Sequence, residues 1–285
     1  MDQRIINLFD EYTHKPLSRE TFLKKLSKLA GGTSAALALL PLLEVNYAHA
    51  ATVSENDADI ETSDITFPGD DATMKGYLAI PKTKTKKGGI LVIHENRGLN
   101  PHTKDIARRL AKAGYIALAA DALSPFGGTP ANEDEARSLF AKIEAPKNLN
   151  NFKHGLKYLR THAQGNGKTA AIGFCWGGAL ANQLAVHDAE LNAAVAYYGR
   201  QPESSDVPQI KAAVQLHYGG MDERINAGIP TYEEALKEAK IPYELYIYDG
   251  AQHAFLNDSA PTRYNPEAAK LAWERTLSFF KKTLS

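Results

Sequence analysis

The 285-residue sequence has a single cysteine, Cys175. An intrachain disulfide is therefore excluded, and oxidative stapling plays no part in the fold. Net charge is also lacking, because 33 Lys and Arg are balanced by 33 Asp and Glu. That balance gives no electrostatic pull toward nucleic acid or an anionic membrane, and no nucleic-acid partner is expected. No long apolar run is present. The best, Leu29 to Leu43, is short and Gly/Ala-rich, so stable membrane insertion is not expected. Cys/His clusters at zinc spacing and Walker-type loops are missing too. Gly31-Gly32 and Gly127-Gly128 lack the lysine and the strand–helix setting that phosphate binding needs. Neither a metal nor an organic cofactor is called for. What remains, 44% hydrophobic and 9% aromatic residues, suffices for one large core and argues against disorder.

Residues 1–50 read differently from the rest. The charged stretch Ser18–Lys25 precedes the apolar run, and Ala48-His49-Ala50 follows as a small-x-small pattern. These are the three parts of an export signal. The order Ser18-Arg19-x-x-Phe22-Leu23-Lys24 resembles a twin-arginine signal with Glu20 in place of the second arginine. Export to the periplasm is the favoured reading. The alternative is a cytoplasmic protein with a retained helical extension packed on the domain or on a partner. Residues 51–59, with the polar run Ser54–Asp59, read as a flexible linker, and a single folded domain is expected over 60–285.

Within that domain Asp64–Phe67 and Lys75–Ile80 are strand-like runs around Pro68-Gly69-Asp70-Asp71, an antiparallel hairpin. Strand–helix units follow. Strands are predicted at Gly89–Ile93, Tyr115–Ala119, Thr169–Phe174, Ala193–Tyr197, Ala213–His217 and Tyr243–Tyr248. Helices are predicted from Thr103 to Gly114, over Asn132–Ile143 and Leu149–His162, after Trp176, over Tyr232–Ala239, and at the C-terminus through Trp273, Leu277, Phe280 and Leu284. This alternation implies an α/β fold, a mostly parallel twisted sheet with helices on both faces. Its chemistry belongs in loops at the carboxyl ends of the strands.

Gly173-Phe174-Cys175-Trp176-Gly177-Gly178 fits G-x-S-x-G with Cys for Ser, between an apolar strand and a helix. With Gly at about 7% of residues, a lone Cys flanked by both glycines arises by chance in roughly 0.5% of cases. The turn presents the sulfur at a helix N-terminus, which favours the thiolate. Cys175 is therefore the candidate nucleophile. Of nine histidines, His253 lies directly after the last strand and is the candidate base. His217 reads as packed within a strand, and His94 as a support at a strand end. Asp222, after Tyr218-Gly219-Gly220-Met221, is the candidate carboxylate, with Glu223 and Asp249 as rivals. The order nucleophile, acid, histidine matches the α/β-hydrolase order.

With these residues in place the chain, from about Ile60 onward, resembles the dienelactone hydrolase family. The likeness rests on Gly173–Gly178, Gly219–Asp222, Gln252-His253-Ala254-Phe255 and His94-Glu95-Asn96-Arg97-Gly98-Leu99-Asn100. It implies that Glu95 manages the thiol proton and that the backbone amides of Asn96 and Trp176 form an oxyanion hole. It also implies a small ester or lactone as substrate. The family holds a substrate carboxylate with two arginines. Here the first region reads Asp121–Phe126 without one, and the second place is Asn257. Arg97 and Arg200 are candidate replacements, with Phe126 and Asn257 as further candidate substrate contacts. A non-catalytic small-molecule binder and a thiol redox protein using Cys175 are the competing readings. The oligomeric state is not legible.

Overall fold

The computed structural model describes residues 1–14, 17–44, 51–70 and 72–285. The Ala48-His49-Ala50 pattern and Asp71 of the hairpin turn lie outside the described residues. Three helices come first, α1 (Gln3–His14), α2 (Arg19–Ala30) and α3 (Thr33–Leu43). The hairpin follows as β1 (Ile60–Pro68) and β2 (Thr73–Pro81), paired antiparallel from Ile60 opposite Pro81. Then come β3 (Lys87–Ile93), α4 (Pro101–Lys112), β4 (Ile116–Ala120), α5 (Glu133–Phe140), α6 (Ala145–Arg160), β5 (Gly165–Phe174) and α7 (Trp176–His187). The chain ends with β6 (Ala193–Tyr197), β7 (Ala213–Gly219), α8 (Glu223–Asn226), α9 (Ile229–Glu238), β8 (Tyr243–Tyr248) and α10 (Pro266–Leu284).

All eight strands form one sheet in the order β1-β2-β4-β3-β5-β6-β7-β8. β3 to β8 run parallel, and β2 joins β4 antiparallel. This is the expected mostly parallel α/β-hydrolase sheet with its N-terminal hairpin. Strand side chains alternate between faces, and the core divides accordingly. Leu91 and Ile93 pack with Phe152 and Leu156 of α6 and Leu184 of α7. Ile90 and Val92 pack with Ile106 and Leu110 of α4 and Phe280 of α10. Helix starts follow local chemistry. Asn100, Asn132 and Asn265 each accept a hydrogen bond from an amide three residues on, and proline opens both α4 and α10. Gly114, at φ 97°, ends the α4 turn where a side chain would be strained.

Two structural features mark the amino-terminal part. The apolar run does not form one helix. It breaks at Gly31 (φ 80°) and Gly32 (φ 153°), and α2 and α3 meet at a 109° bend. Among the described residues no single helix is long and apolar enough to cross a membrane. Instead α1, α2 and α3 share a small core of Ile5, Leu8, Phe9, Tyr12, Phe22, Leu26, Ala36 and Leu43. The stretch read as a flexible linker is tied to α4. The Thr52 and Val53 amides donate to Asp105 Oδ1 at 3.1 and 2.9 Å, and Arg108 Nε donates to the Val53 carbonyl at 2.6 Å. The cause is Asp105 itself. Its carboxylate is fully buried and collects these amides together with Arg108 and Arg109, because a buried charge persists only where donors surround it.

Removing that carboxylate leaves buried Arg108, part-buried Arg109 and two amides short of an acceptor. Asp105→Ala is expected to lower stability by about 3–5 kcal/mol, read as a shift in the urea midpoint, with faster proteolysis around residues 51–59. An unchanged midpoint would contradict this account.

Candidate active site

The sharp turn at the end of β5 sets the geometry. Cys175 sits at φ 56°, ψ −113°, between Phe174 of β5 and Trp176 of α7. A non-glycine residue there is strained and persists only where its surroundings enforce it. The enforcement is visible in the glycines. A methyl group on Gly173 would stand 1.9 Å from the Gly177 carbonyl oxygen. One on Gly177 would stand 2.4 Å from that of Ile93, and one on Gly178 2.6 Å from that of Tyr197. The chain passes too close for any side chain, so the strand must reverse abruptly, and the thiol lands at the first turn of a 12-residue helix. Amides there lack helical partners and favour negative charge on sulfur.

β7 and β8 deliver the other two groups. Asp222 follows β7, and its Oδ1 caps α8 through the Ile225 amide at 3.4 Å. His253 follows β8, and its Nδ1 donates to Asp222 Oδ2 at 2.5 Å. All three residues are buried, Cys175 being 7% exposed. The imidazole also lies within electrostatic reach of the Cys175 sulfur. Burial by itself would push the His253 pKa down. The Cys175 charge and the bond to Asp222 outweigh burial and raise it to about 10. The arrangement brings a cysteine, a histidine and a carboxylate together, with the imidazole favoured in its protonated form. Asp249 is exposed at its turn, and the described hydrogen bond of His253 to a carboxylate goes to Asp222 rather than to Glu223.

The remaining histidines take structural places. His217 is buried between the Tyr248 hydroxyl (2.8 Å) and Gln215 Oε1 (2.9 Å), and burial pushes its pKa down to about 3. His94 accepts the Ala122 amide at Nε2 (3.1 Å), so its Nδ1 donates to the Glu95 carbonyl at 2.6 Å. That bond, and stacking on Trp176 at 5.6 Å, fixes the start of the loop carrying Glu95, Asn96 and Arg97.

That loop lines the same cavity as Cys175 and His253. Glu95 accepts from the Tyr198 hydroxyl (3.5 Å) and from Asn257 Nδ2 (3.3 Å). Asn257 therefore reaches the site through Glu95. The Asn96 side chain donates to the Thr13 carbonyl at 2.6 Å, and Arg97 is engaged by Asn96 Oδ1 (3.1 Å) and Glu133 (3.5 Å). Two candidate substrate contacts fall elsewhere. Phe126, in a short 3₁₀ turn, lines a separate pocket with Ile143 and Lys147. The Arg200 side chain is 78% exposed beside Glu203. Gly199 packs its backbone on Gly178, but this leaves the next guanidinium in solvent.

Three groups in the site escaped the sequence reading. Tyr198 (φ 40°) places its ring 5.0 Å from that of His253. Burial, then the charges of Glu95 and Cys175, hold its pKa well above the usual value, so it stays a neutral donor. Phe9 and Thr13 enter from α1. Arg263 also lines the cavity. It is 6% exposed, its Nε has no hydrogen-bond partner among the described residues, and it lies 5.4 Å from the Phe9 ring. No motif marks any of these, because long-range packing alone brings them in. Among the described residues no group of three or more His, Cys, Asp or Glu could hold a metal ion.

Comparison with known proteins gives a consistent picture. The model of the dienelactone hydrolase family matches residues 74–284. A protein of Saccharolobus solfataricus, provisionally named a carboxymethylenebutenolidase, is 34% identical over 256 residues, 77% of this chain and 98% of that one. A second, from Methylorubrum extorquens and likewise named, is 30% identical over 289 residues, 94% of this chain and 96% of the relative. Among solved structures, a protein of Klebsiella pneumoniae provisionally called a dienelactone hydrolase superposes with a TM-score of 0.70 at 29% identity. The match covers 78% of this chain and 98% of that one.

The raised His253 pKa sets an expected pH profile. A free thiol, with a pKa of about 8.5, alkylates roughly 50-fold or more slowly at about pH 6 than at about pH 8. Cys175 beside an imidazolium keeps its thiolate across that interval. Its rate with dilute iodoacetamide should therefore change less than about threefold, and Cys175 in Asp222→Asn should regain the steeper dependence. A steep profile in the unaltered protein would remove the ion pair.

Proposed function

This chain belongs to the dienelactone hydrolase family of ester- and lactone-cleaving hydrolases, and from that premise we propose that it works through Cys175, His253 and Asp222 by way of a cysteinyl acyl-enzyme. The observation that carries the reading is the strained Cys175 turn facing a histidine bonded to Asp222 at 2.5 Å. The Cys175 thiolate attacks the carbonyl carbon, and charge builds on its oxygen. The backbone amides of Asn96 and Trp176 receive that oxyanion, each worth about 3–4 kcal/mol in comparable sites. The imidazolium of His253 gives its proton to the departing alkoxide, leaving a thioester. The now neutral imidazole takes a proton from water, the hydroxide attacks the thioester, and the thiolate leaves. Asp222 keeps Nδ1 protonated throughout, so that Nε2 does the exchanging. Glu95, held by Tyr198 and Asn257, accepts the proton of any sulfur that rests as the thiol and releases it to solvent before the cycle begins.

Substrate choice follows from charge. Arg97 is engaged by Asn96 and Glu133, whereas Arg263 lines the cavity with its Nε unpartnered among the described residues. A buried cation of this kind is best satisfied by an anion arriving with the substrate. The substrate is thus an ester or lactone bearing a negatively charged substituent, with Arg263 in place of the arginines missing near Phe126 and at Asn257.

Cys175→Ala should abolish turnover of a chromogenic ester, and denaturation of the unaltered protein during turnover should trap an acyl adduct on Cys175 by mass spectrometry. Equal turnover by the two proteins would eliminate the proposal, and thiol oxidation without ester cleavage would favour a redox role. Separately, Arg263→Met should raise KM for an anionic ester about 10- to 100-fold while changing KM for a neutral one less than about threefold. Equal effects on both esters would remove Arg263 as the charge-selecting group.

A further inference from the structure

We infer that helix α1 is a gate: in the position described here it shuts the catalytic cavity, and substrate enters only when α1 leaves the α/β body. The inference rests on the reading of Cys175 as nucleophile, but its test does not.

The first ground is volume. Phe9 and Thr13 of α1 close over Cys175, His253 and Glu95 and leave a cavity of about 30 Å³. That is room for about two water molecules, whereas sites for small organic ligands run to roughly 300–1,000 Å³. No ester reaches the sulfur while these two residues are in place. On the other flank of α1 lies a cleft of about 300 Å³, lined by Ile6, Asn7 and Asp10 together with Asp222, His253 and Arg263. His253 and Arg263 border both spaces. Helix α1 is the partition, and its departure would merge them into one site of ordinary size.

The second ground is how α1 is held. Its apolar residues Ile5, Leu8, Phe9 and Tyr12 pack with α2 and α3 in a core distinct from the two that sandwich the sheet. Its ties to the body are mostly polar and local. Gln3 and Gln252 exchange hydrogen bonds at 3.0 and 2.7 Å. Asn96 donates to the Thr13 carbonyl. Arg137 donates to the Tyr12 carbonyl at 2.7 Å and stacks on the Tyr12 ring at 4.0 Å. The Tyr12 hydroxyl donates to Asp134 at 2.9 Å, and Arg224 pairs with Asp10 at 3.4 Å. Water can replace such bonds, so the three helices can lift as a unit without opening the cores around the sheet.

The test uses the full-length protein. Arg137→Ala and Arg224→Ala remove ties from the body side and leave both the α1–α3 core and the catalytic groups untouched. Each should speed alkylation of Cys175 by dilute iodoacetamide and by a bulkier maleimide, and the double variant by about tenfold or more, because apparent reactivity scales with the open fraction. Turnover of a small ester at low concentration should rise by the same factor. In the unaltered protein the alkylation rate should level off at high reagent concentration, where opening becomes limiting. Matched thermal melts of the single variants guard against general unfolding. Unchanged or slower alkylation in variants with intact melts would overturn the gate. Faster alkylation without ester turnover in any form would keep the gate and remove the nucleophile instead.

Discussion

Steric closeness at the end of β5 governs the rest of the site. Gly173, Gly177 and Gly178 let three stretches of backbone approach to distances at which a Cβ would collide with carbonyl oxygens 1.9 to 2.6 Å away. Packed this tightly, the chain has no relaxed route from strand to helix, and Cys175 absorbs the reversal at φ 56°. The strain costs on the order of 1–3 kcal/mol and is sustained by the surrounding sheet. In return the sulfur is fixed at a helix N-terminus and at the rim where β7 and β8 also end. The meeting of Cys175, His253 and Asp222 is then a consequence of strand order. β6 separates β5 from β7 in the sheet, so the loops carrying Asp222 and His253 open on the same edge as the thiol.

Charge is distributed with equal economy. Within the site a buried imidazole is kept protonated against the cost of burial by the sulfur on one side and the Asp222 carboxylate on the other. Outside it, buried Asp105 gathers two arginines and two amides and so fixes the chain just before β1. Arg263 differs from both, since no such partner set completes it among the described residues.

Much of this was legible in the residues themselves. The six parallel strands announced themselves as short apolar runs, and β6 and β8 begin and end where the pattern places them. Gly114 marked the end of α4 for a local reason. Cys175, Asp222 and His253 could be named because each sits in a short motif directly after a strand. The amino-terminal part was harder. Its charged and apolar stretches read either as a leader or as a retained helical extension, and its described residues form a three-helix unit with a core of its own, because Gly31 and Gly32 permit a bend that composition alone does not reveal. Asn257, expected as a substrate contact, hydrogen-bonds Glu95, while Phe126 and Arg200 lie away from the cavity. Sequence position locates a loop but does not say where a side chain goes.

The amino-acid order therefore determined the elements, their succession and the three groups in motifs, since these depend on interactions within a few residues along the chain. Tertiary structure alone decided that Tyr198, Arg263 and α1 meet at Cys175. Their neighbours there lie tens to hundreds of positions away, and contacts of that range arise only when the sheet has closed and the helices have packed upon it.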